Sequence, residues 1–97
     1  MILIIGGRGA GKREFATTLG CDPEKTLPAL HALEPLPSLK DLLNYEAVIC
    51  DEVGCGVVPM DRHARERREA IGRLCCQLAQ EAQAVYRLQC GLAMRLK

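Results

Sequence analysis

A chain of 97 residues holds one hydrophobic core and leaves no room for a separate substrate domain, so residues 1–97 read as a single domain. Nearly half the residues are apolar but only three are aromatic, so that core must be built from Leu, Ile, Val, Ala and Cys. A formal charge of +1 and a pI near 7.6 exclude the strongly basic face of a nucleic-acid binder, and any anion binding must be local.

The chain opens on Met1-Ile2-Leu3-Ile4-Ile5, an apolar run rich in β-branched residues that Gly6-Gly7 ends. It predicts a central parallel strand buried on both faces. The run has no basic leader and no small-residue cleavage site, which argues against a signal peptide. No apolar stretch approaches the roughly 18 residues of a membrane span, and the expectation is a cytoplasmic protein.

Gly6-Gly7-Arg8-Gly9-Ala10-Gly11-Lys12 fits the GxxxxGK pattern of a phosphate-binding loop, with the strand before it and a helical segment, about Gly11 to Leu19, after it. Glycines let backbone N–H groups turn inward around phosphate oxygens, the helix start adds partial positive charge, and Lys12 supplies an ammonium for the outer phosphates. Arg8 adds a second cation. These residues predict binding of GTP or ATP with Mg²⁺. Position 13 departs from the full pattern: a Ser or Thr there places its hydroxyl on Mg²⁺, and Arg13 cannot ligate a cation. Thr17 and Thr18 are a helical turn too far on to replace it. A ligand-free glycine turn joining strand to helix is the plain alternative.

From Cys21 to Pro37 four prolines interrupt the pattern, and the segment reads as a loop or connector with room for one short strand or helical turn around Ala29 to Leu33, its length limited by prolines on both sides. Ser38 is placed to cap a short helix through Leu43. Ala47-Val48-Ile49-Cys50 predicts a second buried strand that delivers Asp51 and Glu52 to the sheet edge beside the phosphate loop. One of these carboxylates, Asp51 by preference, holds a metal or its water, and the other, Glu52, orients or deprotonates an attacking hydroxyl. An ordinary polar strand end is the competing reading.

After the glycine loop Val53-Gly54-Cys55-Gly56 and Val57-Val58-Pro59, Asp61 is an expected N-cap. Ala64, Ile71, Leu74, Cys75, Leu78, Ala79 and Ala82 form one apolar stripe of a long helix. Its arginines read mostly as a solvated face paired with Glu66 and Glu69. Arg62 and Arg65 are singled out as phosphate contacts, being one turn apart next to the glycine loop. Val85 to Cys90 predicts a third strand and Leu92 to Leu96 a fourth, pairing at the sheet edge after Gly91. The grammar is that of a small three-layer α/β fold with a mainly parallel sheet of three to five strands. The six cysteines follow the apolar pattern without metal-knuckle spacing and read as reduced thiols; a redox or metal-binding domain is the weakest functional class.

The stretch Glu52-Val53-Gly54-Cys55-Gly56-Val57-Val58-Pro59, followed by Asp61-Arg62, Arg65 and Gly72, resembles the adenosylcobinamide kinase/adenosylcobinamide-phosphate guanylyltransferase family. The resemblance extends over residues 1 to about 20 and 47 to 97, including a C-terminal strand like Gly91 to Lys97. The proline-rich connector is too short for that family's middle segment, with its further strand and histidine-bearing helix. The resemblance implies a P-loop fold and phosphorylation of the aminopropanol hydroxyl of a corrinoid, adenosylcobinamide. It also implies transfer of GMP from GTP through a guanylylated histidine, and assembly into a homo-oligomer. Gly6 to Lys12 carry over as the triphosphate loop and Glu52 as the acidic member of its motif. His31 is the one histidine in the region of the family's acceptor, without the surrounding motif, and His63 reads as a helix-surface residue. A nucleotide-binding remnant or partner subunit without chemistry is the rival reading, favoured by Arg13 and the short connector.

Overall fold

The structure, a computed structural model, describes residues 1–52 and 61–97. The glycine loop 53–56 and the Val57-Val58-Pro59 segment, which carry much of the family resemblance, lie outside the described residues.

The apolar runs form the strands expected of them. β1 (Ile2–Gly6) lies between β3 (Ala47–Asp51) and β4 (Ala84–Gln89), parallel to both, in a five-stranded sheet of order β2-β3-β1-β4-β5. Alternate residues serve opposite faces. On one face Leu3, Val48, Cys50 and Val85 pack with Ile71, Leu74 and Leu78 of α3 (Arg62–Glu81). On the other, Ile4, Ala47, Ile49 and Leu88 pack with Ala16 of α1 (Lys12–Thr18) and, at its rim, Phe15. Both faces being covered explains why β1 and β3 read as unbroken apolar runs. The result is the three-layer, P-loop-like α/β architecture, with a mainly parallel sheet of the expected size.

The register sets up the site. Gly6 of β1 stands beside Asp51 of β3 and Leu88 of β4, so the chain leaves β1 level with the acidic end of β3. Gly6 is required by this close approach, because a Cβ there would sit 2.6 Å from the Leu88 carbonyl oxygen.

The connector departs from expectation in detail. Asp22 caps a 3₁₀ turn, Pro23–Lys25, by accepting from the Glu24 amide at 3.0 Å, and β2 (Thr26–Leu27) follows, parallel to β3. The strand thus falls earlier than the Ala29 to Leu33 segment, because Pro28 has no N–H to continue a ladder. The expected helical turn forms at Leu30–Ala32. Leu30 is fully buried, as is Leu42 of α2 (Leu39–Leu42), which Ser38 caps through the Asp41 amide.

Asp61 caps α3 as expected, accepting from the His63 amide at 3.1 Å, and Ile71, Leu74 and Leu78 form its buried stripe. β4 turns through Cys90 and Gly91, both at positive φ, into β5 (Leu92–Arg95), which pairs antiparallel at the edge. Among the described residues no helix is long and apolar enough to cross a membrane.

Candidate functional site

Gly7 to Gly11 wrap from β1 into α1. Gly11 caps α1 at φ 90°, a left-handed conformation that a side chain would strain, and so turns the chain sharply enough to start the helix under the strand end. The hairpin turn braces the loop from behind: the Gly91 amide donates to the Ala10 carbonyl at 3.2 Å. α1 has only seven residues, so cation attraction for a phosphate rests on side chains and loop amides more than on a helix dipole.

Lys12 is the one buried charged residue among the described residues, 8% exposed, and it has two partners. Its Nζ donates to the Gly7 carbonyl at 2.7 Å and lies 2.9 Å from Asp51 Oδ1. An ammonium has three N–H donors, so one remains for a further acceptor. Asp51 is held from its other side by His31. The Asp51 amide donates to His31 Nδ1 at 3.0 Å, and Asp51 Oδ2 lies 3.3 Å from His31 Nε2. A nitrogen that accepts an N–H bears no proton, so the ring proton sits on Nε2, facing the carboxylate. Lys12, Asp51 and His31 share the lining of a cavity of about 270 Å³ with Gly9, Ala10, Gly11, Arg13 and Glu14.

The structure therefore brings together Gly9 to Arg13, Asp51 and His31. It turns the other carboxylate away. Glu52 donates its amide to the Gly6 carbonyl at 2.8 Å, and its carboxylate meets Arg87 of β4 at 3.1 and 3.3 Å. Adjacent residues of an extended chain point to opposite sides, which separates Asp51 from Glu52. Gly6 belongs to the sheet, Gly7 contributes its carbonyl, and the exposed Arg8 is not part of the cavity wall. Arg62, 85% exposed, pairs with Glu66, and neither it nor the exposed Arg65 lines the cavity. His63 is exposed and lies 3.5 Å from Glu34.

Among the described residues the side-chain donors do not fit a Mg²⁺ held by the protein. Arg13 offers no side-chain oxygen, both Asp51 oxygens face cationic or N–H groups, and Glu52 is occupied by Arg87. The hydroxyls of Thr17 and Thr18 donate back to the Arg13 and Glu14 carbonyls within α1.

One participant escaped the sequence reading. Arg67 was grouped with the solvated arginines of α3, yet it is half-buried and its Nη2 donates to the His31 carbonyl at 2.9 Å and to the Leu33 carbonyl. Its spacing held the signal: Arg67 is four residues before Ile71 and seven before Leu74, on the buried stripe itself.

The five described cysteines are free thiols. Cys50 Sγ donates to the Asp51 carbonyl at 3.3 Å, and the Cys75 thiol beside it, together with burial, pushes the Cys50 thiol far up, while Cys50 draws Cys75 down against the effect of its own burial. No group of three or more His, Cys, Asp or Glu suited to a metal occurs among the described residues.

The fold and the glycine loop define a small α/β protein of P-loop-like architecture. The family model of CobU, cobinamide kinase / cobinamide phosphate guanyltransferase, matches residues 31–96, and the chain belongs to that family. The match begins at His31 and so runs through the second half of the connector, while the phosphate loop lies before it. No curated protein matches the chain as a relative. The family is one of transferases in cobalamin biosynthesis that use nucleoside triphosphates, and the role of this chain lies there.

Proposed function

We propose that the chain binds GTP or ATP on residues 7–13 and transfers its terminal phosphoryl group to the hydroxyl of a cobinamide. The single observation that carries this reading is Lys12, buried at the junction of β1 and α1 and tied to Asp51 at the level end of the neighbouring strand. Its third N–H donor is available to a phosphate oxygen without loss of either existing partner. Catalysis of this kind is mainly positioning and charge neutralisation.

The alcohol oxygen forms a bond to the γ-phosphorus as the bond to the β,γ-bridging oxygen breaks, and the nucleoside diphosphate leaves. A carboxylate oxygen has two lone-pair sites, so Asp51 Oδ1 accepts the hydroxyl proton while still paired with Lys12, and Asp51 takes the role expected of Glu52. A second cavity of about 370 Å³, lined by Ala16, Thr17, Cys21, Pro23 and Thr26, shares Arg13, Pro28 and Ile49 with the first. It is sized for the hydroxyl-bearing arm of the corrinoid. Arg87 holds Glu52 as a structural pair. A protein of this kind works in the cytoplasm.

Guanylyl transfer through His31 is not part of the proposal, since a nucleophilic histidine needs a free lone pair and Nδ1 already accepts the Asp51 amide. Binding without chemistry is the second reading, favoured by Arg13 in place of the hydroxyl residue. Incubation with GTP labelled separately at the α- and γ-phosphates, magnesium chloride and adenosylcobinamide separates these outcomes. The γ-label on cobinamide is expected. Acid-labile α-label on the protein would restore guanylyl transfer, and bound nucleotide without product would leave the binding role alone.

A further inference from the structure

We infer that Arg67, on a helix outside the phosphate site, is a positioning residue that sets Asp51 through His31. The contacts form a continuous chain. The Arg67 guanidinium reaches back from α3 to the His31 and Leu33 carbonyls, gripping the middle and the C-terminal end of a single 3₁₀ turn whose span is Leu30–Ala32. That turn is pinned on its inner side by Leu30, which is fully buried in the core beneath α3. With the turn held at these points, the His31 ring meets Asp51 twice, at the amide and at the carboxylate, and the opposite carboxylate oxygen meets Lys12.

The turn cannot hold this geometry by local structure. It closes through two weak backbone bonds, Ala32 to Ala29 and Leu33 to Leu30, at 3.1 and 3.2 Å, and its N-cap residue Ala29 has no side-chain acceptor. The orphan carbonyls of so short a turn are groups that need donors when half-buried, and a planar guanidinium supplies them in a fixed fork. A lysine offers one mobile point charge on a flexible stem. Arg67 is therefore the strut between the apolar stripe of α3 and the turn, and Asp51 is oriented at the far end.

The consequence for phosphoryl transfer rests on the proposed function, whereas the placement of His31 does not, and the experiment reads them apart. The chain has two histidines, so ¹⁵N spectra of the imidazoles give one test signal, His31, and one exposed reference, His63. In the ligand-free wild type, His31 is expected to show the single tautomer with protonated Nε2, His63 the solvent average. Arg67→Met keeps the apolar stem and removes the donors, and it should move His31 to the average while Arg67→Lys restores part of the difference. Kinase kcat should fall about tenfold to a hundredfold in Arg67→Met with the nucleotide KM within about twofold, the signature of a misplaced group and not of lost binding.

An unchanged His31 tautomer in folded Arg67→Met overturns the inference, whatever the activity. Should that variant not fold, the wild type decides: low-temperature spectra must resolve separate, slowly rotating Nη signals for Arg67, and a signal averaged like that of exposed Arg62 overturns it equally. A freed His31 with no kinase activity in any form, wild type included, supports the strut and removes the phosphoryl-transfer reading.

Discussion

On one flank of β1 the chain between α1 and β3 is broken by prolines and adds only a two-residue strand to the sheet, yet it buries Leu27 and Leu30 and carries His31 to Asp51. On the other flank β5 is a regular antiparallel strand, and every one of its residues is exposed, with Leu92 at 76% and Met94 at 60%. Regularity and energetic weight are thus inverted between the two flanks. The irregular segment lies between α3 and β3 and is gripped from both, while the regular one hangs from a single neighbour. Burial decides how much a segment contributes, and hydrogen-bond periodicity decides only how easily it is recognised.

Truncating the irregular side should have the largest effect. Leu30→Ala should cost about 2–5 kcal/mol in a urea unfolding titration, the usual range for a fully buried leucine whose cavity cannot collapse. Because Leu30 anchors the turn that carries His31, the variant should also lose the single His31 tautomer. A cost below about 1 kcal/mol would mean that the connector is not part of the core.

On the regular side, Leu92→Ser with Met94→Ser should change stability by less than about 1 kcal/mol in the same titration, since exposed substitutions usually stay within about 0.5 kcal/mol each. A larger loss would show that β5 is covered in solution, most simply by a second copy of the chain. Sedimentation of the double variant against the wild type would then reveal it as a fall in mass.

Much of the fold was legible because its signals are local. The β1 and β3 runs, the capped stripe of α3 and the hairpin at Cys90-Gly91 depend on residues a few positions apart, and each appears within a residue or two of its expected bounds. The positions of Lys12 and Asp51 were legible for a related reason, since the ends of two adjacent parallel strands must lie side by side. His31 is another matter. It lies twenty residues from Asp51, inside a 3₁₀ turn and with α2 between them, and no period relates the two. Glu52 was misdirected by its neighbour: an acidic pair at a strand end looks like one site, but the strand's alternation sends the second carboxylate to Arg87. Arg67 hid among four other arginines of α3, distinguished only by its angle around the helix.

If Lys12 holds a triphosphate at the strand junction, calorimetric titration of GTP and ATP into the wild type and Lys12→Met will show it. A charged hydrogen bond of this kind contributes about 1.5–3 kcal/mol, so the variant should bind roughly ten- to a hundredfold more weakly while keeping its fold. Equal affinity in both proteins, or no binding by the wild type, would contradict the account.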